Sequence, residues 1–329
     1  MKLCVIAGDG IGAEVVPQAV RVLQHLLPAL QTVSADAGWA TFQQQGTALP
    51  DATLAAARAC GAVLFGAVSS PARAVAGYRS PIVQLRRLLG CHANLRPTLS
   101  LPDCGLPGVD LWVVRENTED LYVGEEQSDG DTATAIKRIT RAASLRVAES
   151  AFALAAAAGR RRVTIVHKAN IMPLTDGLFR DCAREVAARY PQLQVDEMLV
   201  DTAALKLAQA PQAFDVLLAP NLYGDILSDL AAAFGGGLGV AASLNLGQGV
   251  AIAEPVHGSA PDIAGQGVAN PVASLLSLAM LLRHHWQLPQ EAHRLEQAVQ
   301  QVLAGGECTP DLGGSAGTAQ FCDAVIAAL

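Results

Sequence analysis

The chain is poor in rings and in charge: Phe, Trp and Tyr make up 4% of its 329 residues and Asp, Glu, Lys and Arg 16%, against 51% apolar. A core must therefore be assembled from Ala, Val and Leu, and the length allows a sizeable one, as two domains or one large α/β unit. The formal net charge of −7 excludes a broad basic surface for nucleic acid or an anionic membrane. Anions, if bound, need a local cluster of Arg and Lys. No apolar run reaches membrane-spanning length without Gly or charge, and residues 2–7 enter a strand directly with no targeting segment, so a cytoplasmic protein is expected. The seven cysteines are odd in number and lack any C-x-x-C spacing, which reads as reduced, packed thiols. The seven histidines show no metal-ligand spacing, and His284-His285 is expected to close a helix, where a cation is favoured.

What is present is an alternation of strand and helix signals with short connections, which predicts a largely parallel α/β sheet. Strand 2–7 runs into Gly8-Asp9-Gly10-Ile11-Gly12 and a helix over 13–27. The glycine spacing is G-x-G-x-G rather than G-x-G-x-x-G, with no acidic residue closing a second strand cleanly, so a Rossmann dinucleotide turn is rejected. After a strand at 62–65, residues 69–78 form a polar, Pro-punctuated stretch that reads as a binding loop. Ser80-Pro81 then opens a helix, with serine as N-cap and proline in the first turn. Further on, 124–134 is a polar excursion and 135–139 a strand signal, together a hairpin arm. Asn270-Pro271 repeats the Asn-cap, Pro-first-turn pattern.

The stretch with most chemistry is Asn221-Leu-Tyr-Gly-Asp225-Ile-Leu-Ser-Asp229, which follows an apolar strand at 214–219 and reads as a helix after Gly224. Asp225 and Asp229, four apart, leave one helix face and repel unless a cation lies between them; hard oxygens suit Mg²⁺ or Mn²⁺. Two solvated carboxylates near a helix N-terminus would read the same way in isolation. Arg86, Arg96 and Arg115 lie at element ends, and guanidinium groups bind carboxylates bidentately, so their convergence would demand a substrate with two or more carboxylates. Tyr122 and Lys168 stand just beyond apolar strands, where proton-transfer groups are placed.

Arg115-Glu-Asn-Thr-Glu-Asp-Leu-Tyr122, His167-Lys168-Ala-Asn170, the Asn221–Asp229 stretch and Glu254-Pro-Val-His257-Gly-Ser-Ala-Pro-Asp262-Ile-Ala-Gly together resemble the isocitrate/isopropylmalate dehydrogenase family. The resemblance runs from Gly8 to Gly314. It implies a two-domain α/β fold with a mixed, largely parallel sheet, not a Rossmann fold. Residues 1–96 with 244–329 would bind the cofactor, and 97–243, with an arm near 124–140, would bind substrate and dimerise.

By the same resemblance, Arg86, Arg96 and Arg115 clamp the malate carboxylates and Asn170 assists. Asp225 and Asp229 ligate Mg²⁺ or Mn²⁺ with Asp201 lent by a second subunit. Lys168, also lent, takes the hydroxyl proton, and Tyr122 protonates the enol carbon after CO₂ leaves. The cofactor residues would be Ile11, Glu254, His257, Gly258, Ser259, Ala260, Asp262, Ile263 and Asn270. A carboxylate at Asp262 accepts ribose hydroxyls and repels a 2′-phosphate, so NAD is expected rather than NADP. Tyr78-Arg79-Ser80-Pro81-Ile82-Val83-Gln84-Leu85-Arg86-Arg87, after Ser69-Ser70-Pro71, is most similar to members acting on homoisocitrate in an α-aminoadipate route to lysine. Ser70, Arg79 and Ser80 are then candidates for a distal carboxylate, with Val83 beside them. Isocitrate, isopropylmalate and tartrate- or malate-like substrates remain alternatives, as does a silent regulatory subunit. The expected partners are a small tricarboxylate and a second copy of the chain. Thr202 after Asp201 and Cys91-His92 before Ala93-Asn94 depart from the family pattern.

Overall fold

The structure, a computed structural model, describes residues 1–73, 75–102 and 104–329; Ala74, within the expected binding loop, lies outside the described residues. Strands and helices alternate as β1 (Lys2–Gly8), α1 (Gly12–Leu26), β2 (Gln31–Ser34), α2 (Trp39–Gln45), α3 (Asp51–Cys60), β3 (Ala62–Ala67) and α4 (Pro81–Leu88). Next come β4 (Ala93–Leu99), β5 (Asp110–Glu116), β6 (Glu126–Ser128), β7 (Ala133–Ala135), α5 (Arg141–Ala157), β8 (Arg162–His167), α6 (Thr175–Ala187), β9 (Gln194–Leu199), α7 (Val200–Gln209), β10 (Val216–Ala219) and α8 (Asn221–Gly235). The chain ends with β11 (Leu244–Leu246), β12 (Ala251–Ala253), α9 (Val272–His284), α10 (Pro289–Ala304) and α11 (Thr318–Ala328). Among the described residues no helix is long and apolar enough to cross a membrane.

The chain forms two compact units, one of residues 1–89, 100–106 and 235–329 and one of residues 90–99 and 107–234. The chain therefore crosses before β4, directly after β4, ahead of β5 and at the end of α8, where two crossings near 96 and 243 were expected.

In the first unit the strands run β2-β1-β3-β12-β11, parallel except for the β11–β12 pair. β3 is buried at every position, so it reads as a continuous apolar run rather than an alternating one. α1 buries Val15, Val16, Ala19, Val22, Leu23 and Leu26, one stripe at helical spacing. Gly8 and Gly10 have φ of 77° and 57°, and a Cβ at either would collide with a backbone oxygen, of Ala67 and Ser259 respectively. Their glycines thus serve close backbone approach, and the sheet order is not that of a dinucleotide-binding half.

In the second unit the order is β4-β5-β10-β8-β9, again parallel except for one pair, β4–β5. Its core joins Val109, Leu111 and Val113 to Leu217, Ala219, Leu227 and Ala231. Thr140 caps α5 by accepting from the Ala143 N–H. β6 and β7 pair as the arm hairpin.

Four local expectations are corrected. α8 begins at Asn221, ahead of Gly224, because the Leu222 N–H is satisfied by Asp120 Oδ2 at 2.9 Å, a cap acceptor remote in sequence. The second arm strand lies at 133–135, not 135–139. Ser80 occupies the N-cap of α4 without a side-chain capping bond. His284 does end α9, but burial, with the neighbouring Arg283 charge, pushes its pKa down to about 4, so it is neutral where a cation was expected. Cys4, Cys60, Cys182 and Cys322 are free thiols.

Candidate active site

The second unit builds its site on β4, β5 and α8. Arg96 on β4 pairs in register with Val113, and Asn94 faces Arg115 on β5, so adjacent strands place both guanidinium groups beside α8. Arg115 is 1% exposed. Its Nε and Nη2 donate to Asn221 Oδ1 at 2.9 and 2.7 Å, and Nη1 donates to Asp225. The Arg115 chain can lie this close because residue 224 is glycine: a Cβ there would stand 2.7 Å from both Cβ and Cγ of Arg115. Arg96 donates from Nε to Asn94 Oδ1 at 2.6 Å and from Nη1 to Ser228 Oγ at 2.8 Å.

The same Arg96 Nη1 lies 3.4 Å from Asp225 Oδ1 and 3.1 Å from Asp229 Oδ1. Two carboxylates one helical turn apart thus converge on a point that a cation occupies, as their mutual repulsion requires. Burial pushes the Asp229 carboxyl above its ordinary value; Arg96 opposes this and Asp225 adds to it. A hard divalent ion fits this donor set. Among the described residues no three His, Cys, Asp or Glu side chains gather to hold an ion, so Asp201 does not complete the pair within one chain.

Tyr122 sits on a single turn, Leu121–Val123, entered through Asp120 at φ 68°. Its hydroxyl donates to Asp225 Oδ2, and the Arg115 guanidinium carbon lies 4.9 Å from its ring centroid. Burial raises the phenol's pKa, against the pull of Arg115, so Tyr122 keeps its proton at neutral pH. One tyrosine, two aspartates and two buried arginines therefore form one network, able to hold carboxylates, bind an ion and give up a proton.

Lys168 and Asp201 form a separate pair. Lys168, after β8, donates its ammonium to Asp201 in the first turn of α7, and that bond holds the Asp201 carboxyl below its ordinary pKa. The Lys168 N–H donates to Asp176 Oδ2 at 2.7 Å. Asn170 is exposed.

In the first unit Arg86 is buried and donates to Glu254 Oε2 at 2.7 Å, an oxygen that also accepts from Asn245 Nδ2 at 3.0 Å. The loop following Glu254 is fastened to the turn before α1: Ile11 N–H donates to Ser259 O at 2.9 Å, and Glu14 accepts from Gly265 and Gly267 N–H. Ala260 has φ 37°, a left-handed residue without being glycine. His257 Nδ1 faces Gly258 O at 3.0 Å, and burial keeps the ring neutral, so Nε2 is the acceptor. Asp262 is exposed and Ile263 half-buried. Asn270 accepts from Val272 N–H at 2.9 Å and donates to Asp311 at 3.0 Å. Ser70 and Arg79 are exposed, while Ser80 and Val83 are half-buried beside a buried Ile82.

Sequence reasoning passed over Asp9, whose carboxylate accepts from the N–H groups of Trp39, Ala40 and Ser69 at 2.8, 3.0 and 2.9 Å and so ties three segments together. It also passed over Asn221, Asp120, Asp176 and Lys137. Asn221 and Asp120 lay inside quoted motifs; nothing local marked the other two.

The family model for isocitrate/isopropylmalate dehydrogenase matches residues 2–325. The isocitrate/homoisocitrate dehydrogenase of Thermus thermophilus is 49% identical over 329 residues, covering 100% of this chain and 98% of its own. The 3-isopropylmalate dehydrogenase of Archaeoglobus fulgidus is 48% identical over 330 residues, covering 100% and 99%. The crystal structure of isocitrate dehydrogenase from Methylococcus capsulatus superposes with a TM-score of 0.94 at 43% identity, over 99% of this chain and 98% of that one. With its sheet, its paired aspartates and its arginine–tyrosine network in place, the chain belongs to the isocitrate/isopropylmalate dehydrogenase family and is a decarboxylating dehydrogenase of that type.

Proposed function

We propose that this enzyme oxidises and decarboxylates homoisocitrate to 2-oxoadipate and CO₂, using NAD and Mg²⁺ or Mn²⁺, in a lysine-forming α-aminoadipate route. The observation that carries the substrate choice lies at α4. Ser80 holds the N-cap position without spending its hydroxyl on a cap, Ile82 is turned into the core, and Val83 is half-buried. That arrangement leaves a hydroxyl for a distal carboxylate, with Ser70 and Arg79 exposed on the preceding loop. The apolar Val83 favours the second reading, an isopropylmalate substrate.

In the proposed chemistry Arg86, Arg96 and Arg115 hold the carboxylates, with Asn170 beside them. A divalent ion held by Asp225, Asp229 and the partner subunit's Asp201 would polarise the substrate hydroxyl and keto oxygens, and NAD, held by Ile11, Asn270 and the loop from Glu254 through Ile263, would accept hydride. Lys168, in its neutral amine form, takes the hydroxyl proton. After CO₂ departs, Tyr122 delivers its retained proton to the enol carbon. Lys168 and Asp201 serve the site of a second copy. Their separate pairing supports this reading, as do exposed Ile171, Leu174, Leu205 and Ile226 on the same unit.

The test compares kcat/KM for homoisocitrate, isocitrate and 3-isopropylmalate with NAD and Mg²⁺. A homoisocitrate preference of about tenfold, about 1.4 kcal/mol, is expected. A win for 3-isopropylmalate would make Val83 part of an apolar wall and remove Ser80 from carboxylate binding.

A further inference from the structure

Lys137, at the foot of the arm, has no part in the chemistry above, yet its side chain is only 12% exposed. Its Nζ lies 2.6 Å from Asp176 Oδ1 and 3.5 Å from Asp120 Oδ1, and both aspartates are 0% exposed. The same ammonium stands 4.4 Å from the centroid of the Tyr223 ring. Burial works against its charge, but the close Asp176 carboxylate and the Asp120 charge outweigh it and hold the Lys137 pKa above its ordinary value.

The other oxygens of those aspartates are committed to the catalytic elements. Asp176 Oδ2 accepts the N–H of Lys168, and Asp120 Oδ2 accepts the N–H of Leu222 in the first turn of α8, three residues before Asp225. Asp120 also leads into the turn that carries Tyr122 and exchanges backbone hydrogen bonds with Arg138, the residue after Lys137. One buried ammonium therefore stands between the segment of Tyr122 and Asp225 and the segment of Lys168.

We propose that Lys137 is a positioning residue whose buried charge fixes the Tyr122 turn, the start of α8 and the Lys168 turn in one frame. The roles of Tyr122 and Lys168 rest on the function proposed above; the frame itself does not. Without the ammonium, two buried carboxylates lose their counter-ion, a condition that drives protonation or rearrangement. A displacement of about 1 Å at a catalytic side chain costs on the order of a hundredfold in rate.

The test uses the full-length protein with Lys137→Met, Asp176→Asn and the double substitution. Amide hydrogen exchange is read over residues 118–124, 168–176 and 221–225, and kinetics are read on whichever substrate the wild type prefers. In Lys137→Met, exchange at Lys168 and Leu222 should quicken by about tenfold or more while distant segments stay unchanged. Its kcat should fall by about tenfold or more, with KM for NAD within about threefold. Asp176→Asn should quicken exchange at Lys168 but not at Leu222, and the double variant should be no worse than Lys137→Met. Folded Lys137→Met with unchanged exchange in these segments, or with unchanged kcat, overturns the proposal. If Lys137→Met does not fold, Asp176→Asn decides: unaltered exchange at Lys168 overturns it. A wild type that turns over none of the three substrates removes the function proposed above, and the exchange data still decide the frame.

Discussion

Gly224→Ala sets two effects of opposite sign against each other. Helix propensity favours the change: Gly inside a helix costs about 0.5–1 kcal/mol relative to Ala. The tertiary contact opposes it, since the added Cβ would stand 2.7 Å from Cβ and Cγ of Arg115 and 3.2 Å from its Cα. Arg115 cannot yield cheaply, because it is 1% exposed and its guanidinium is held by Asn221 and Asp225. Overpacking of this kind costs about 1–3 kcal/mol, and losing a partner of the buried charge adds about 3–5 kcal/mol. The steric term wins, for a net loss of up to about 2.5 kcal/mol if Arg115 keeps its partners and about 3–7.5 kcal/mol if it loses one. Gly177→Ala in α6 is the matched control, for there a Cβ meets nothing within 4 Å. It should gain about 0.5–1 kcal/mol from the same propensity. Urea unfolding midpoints of the two variants should therefore move in opposite directions. Because Asp225 and Tyr122 hang on Arg115, kcat/KM of Gly224→Ala should also fall by about a hundredfold. A Gly224→Ala protein as stable as Gly177→Ala would refute the claim that glycine is demanded by Arg115.

Tyr122→Phe removes only the hydroxyl that meets Asp225; kcat should drop by about 10²–10⁴ with stability altered by no more than about 1 kcal/mol, read by steady-state kinetics and urea unfolding. Near-normal turnover would remove Tyr122 as the proton donor. His284, with its pKa depressed from 6.5 to about 4, binds fewer protons folded than unfolded, so its contribution is present above pH 6.5 and lost as pH falls towards 4. Unfolding free energies should fall by up to about 3 kcal/mol across that window, and His284→Leu should flatten the decline. Initial rates should favour NAD over NADP by about tenfold or more, and Asp262→Lys should narrow the gap; an unmoved ratio would mean that the exposed carboxylate does not read the ribose.

Much of the architecture is legible in the sequence. β10 falls inside the expected 214–219, and the apolar runs that became β3 and β10 are buried at every position. Burial of both faces leaves such a run in the sequence, and short-range caps such as Gly61 at φ 69° after α3 mark the ends. The i, i+4 spacing of Asp225 and Asp229 on one helix face was likewise readable, because helix geometry alone sets that separation. Other features depended on partners far away in the chain. The start of α8 is set by Asp120, 102 residues earlier, and the cation between the aspartates is Arg96, 133 residues from Asp229. His284 looked like a helix-end cation until packing around α9 took away its water, since desolvation depends on neighbours that the sequence does not place. Nothing local in the sequence singled out Lys137. Only the fold enclosed it between two fully buried carboxylates, and at that distance from water a charge is decided by its tertiary surroundings rather than by its own residue type.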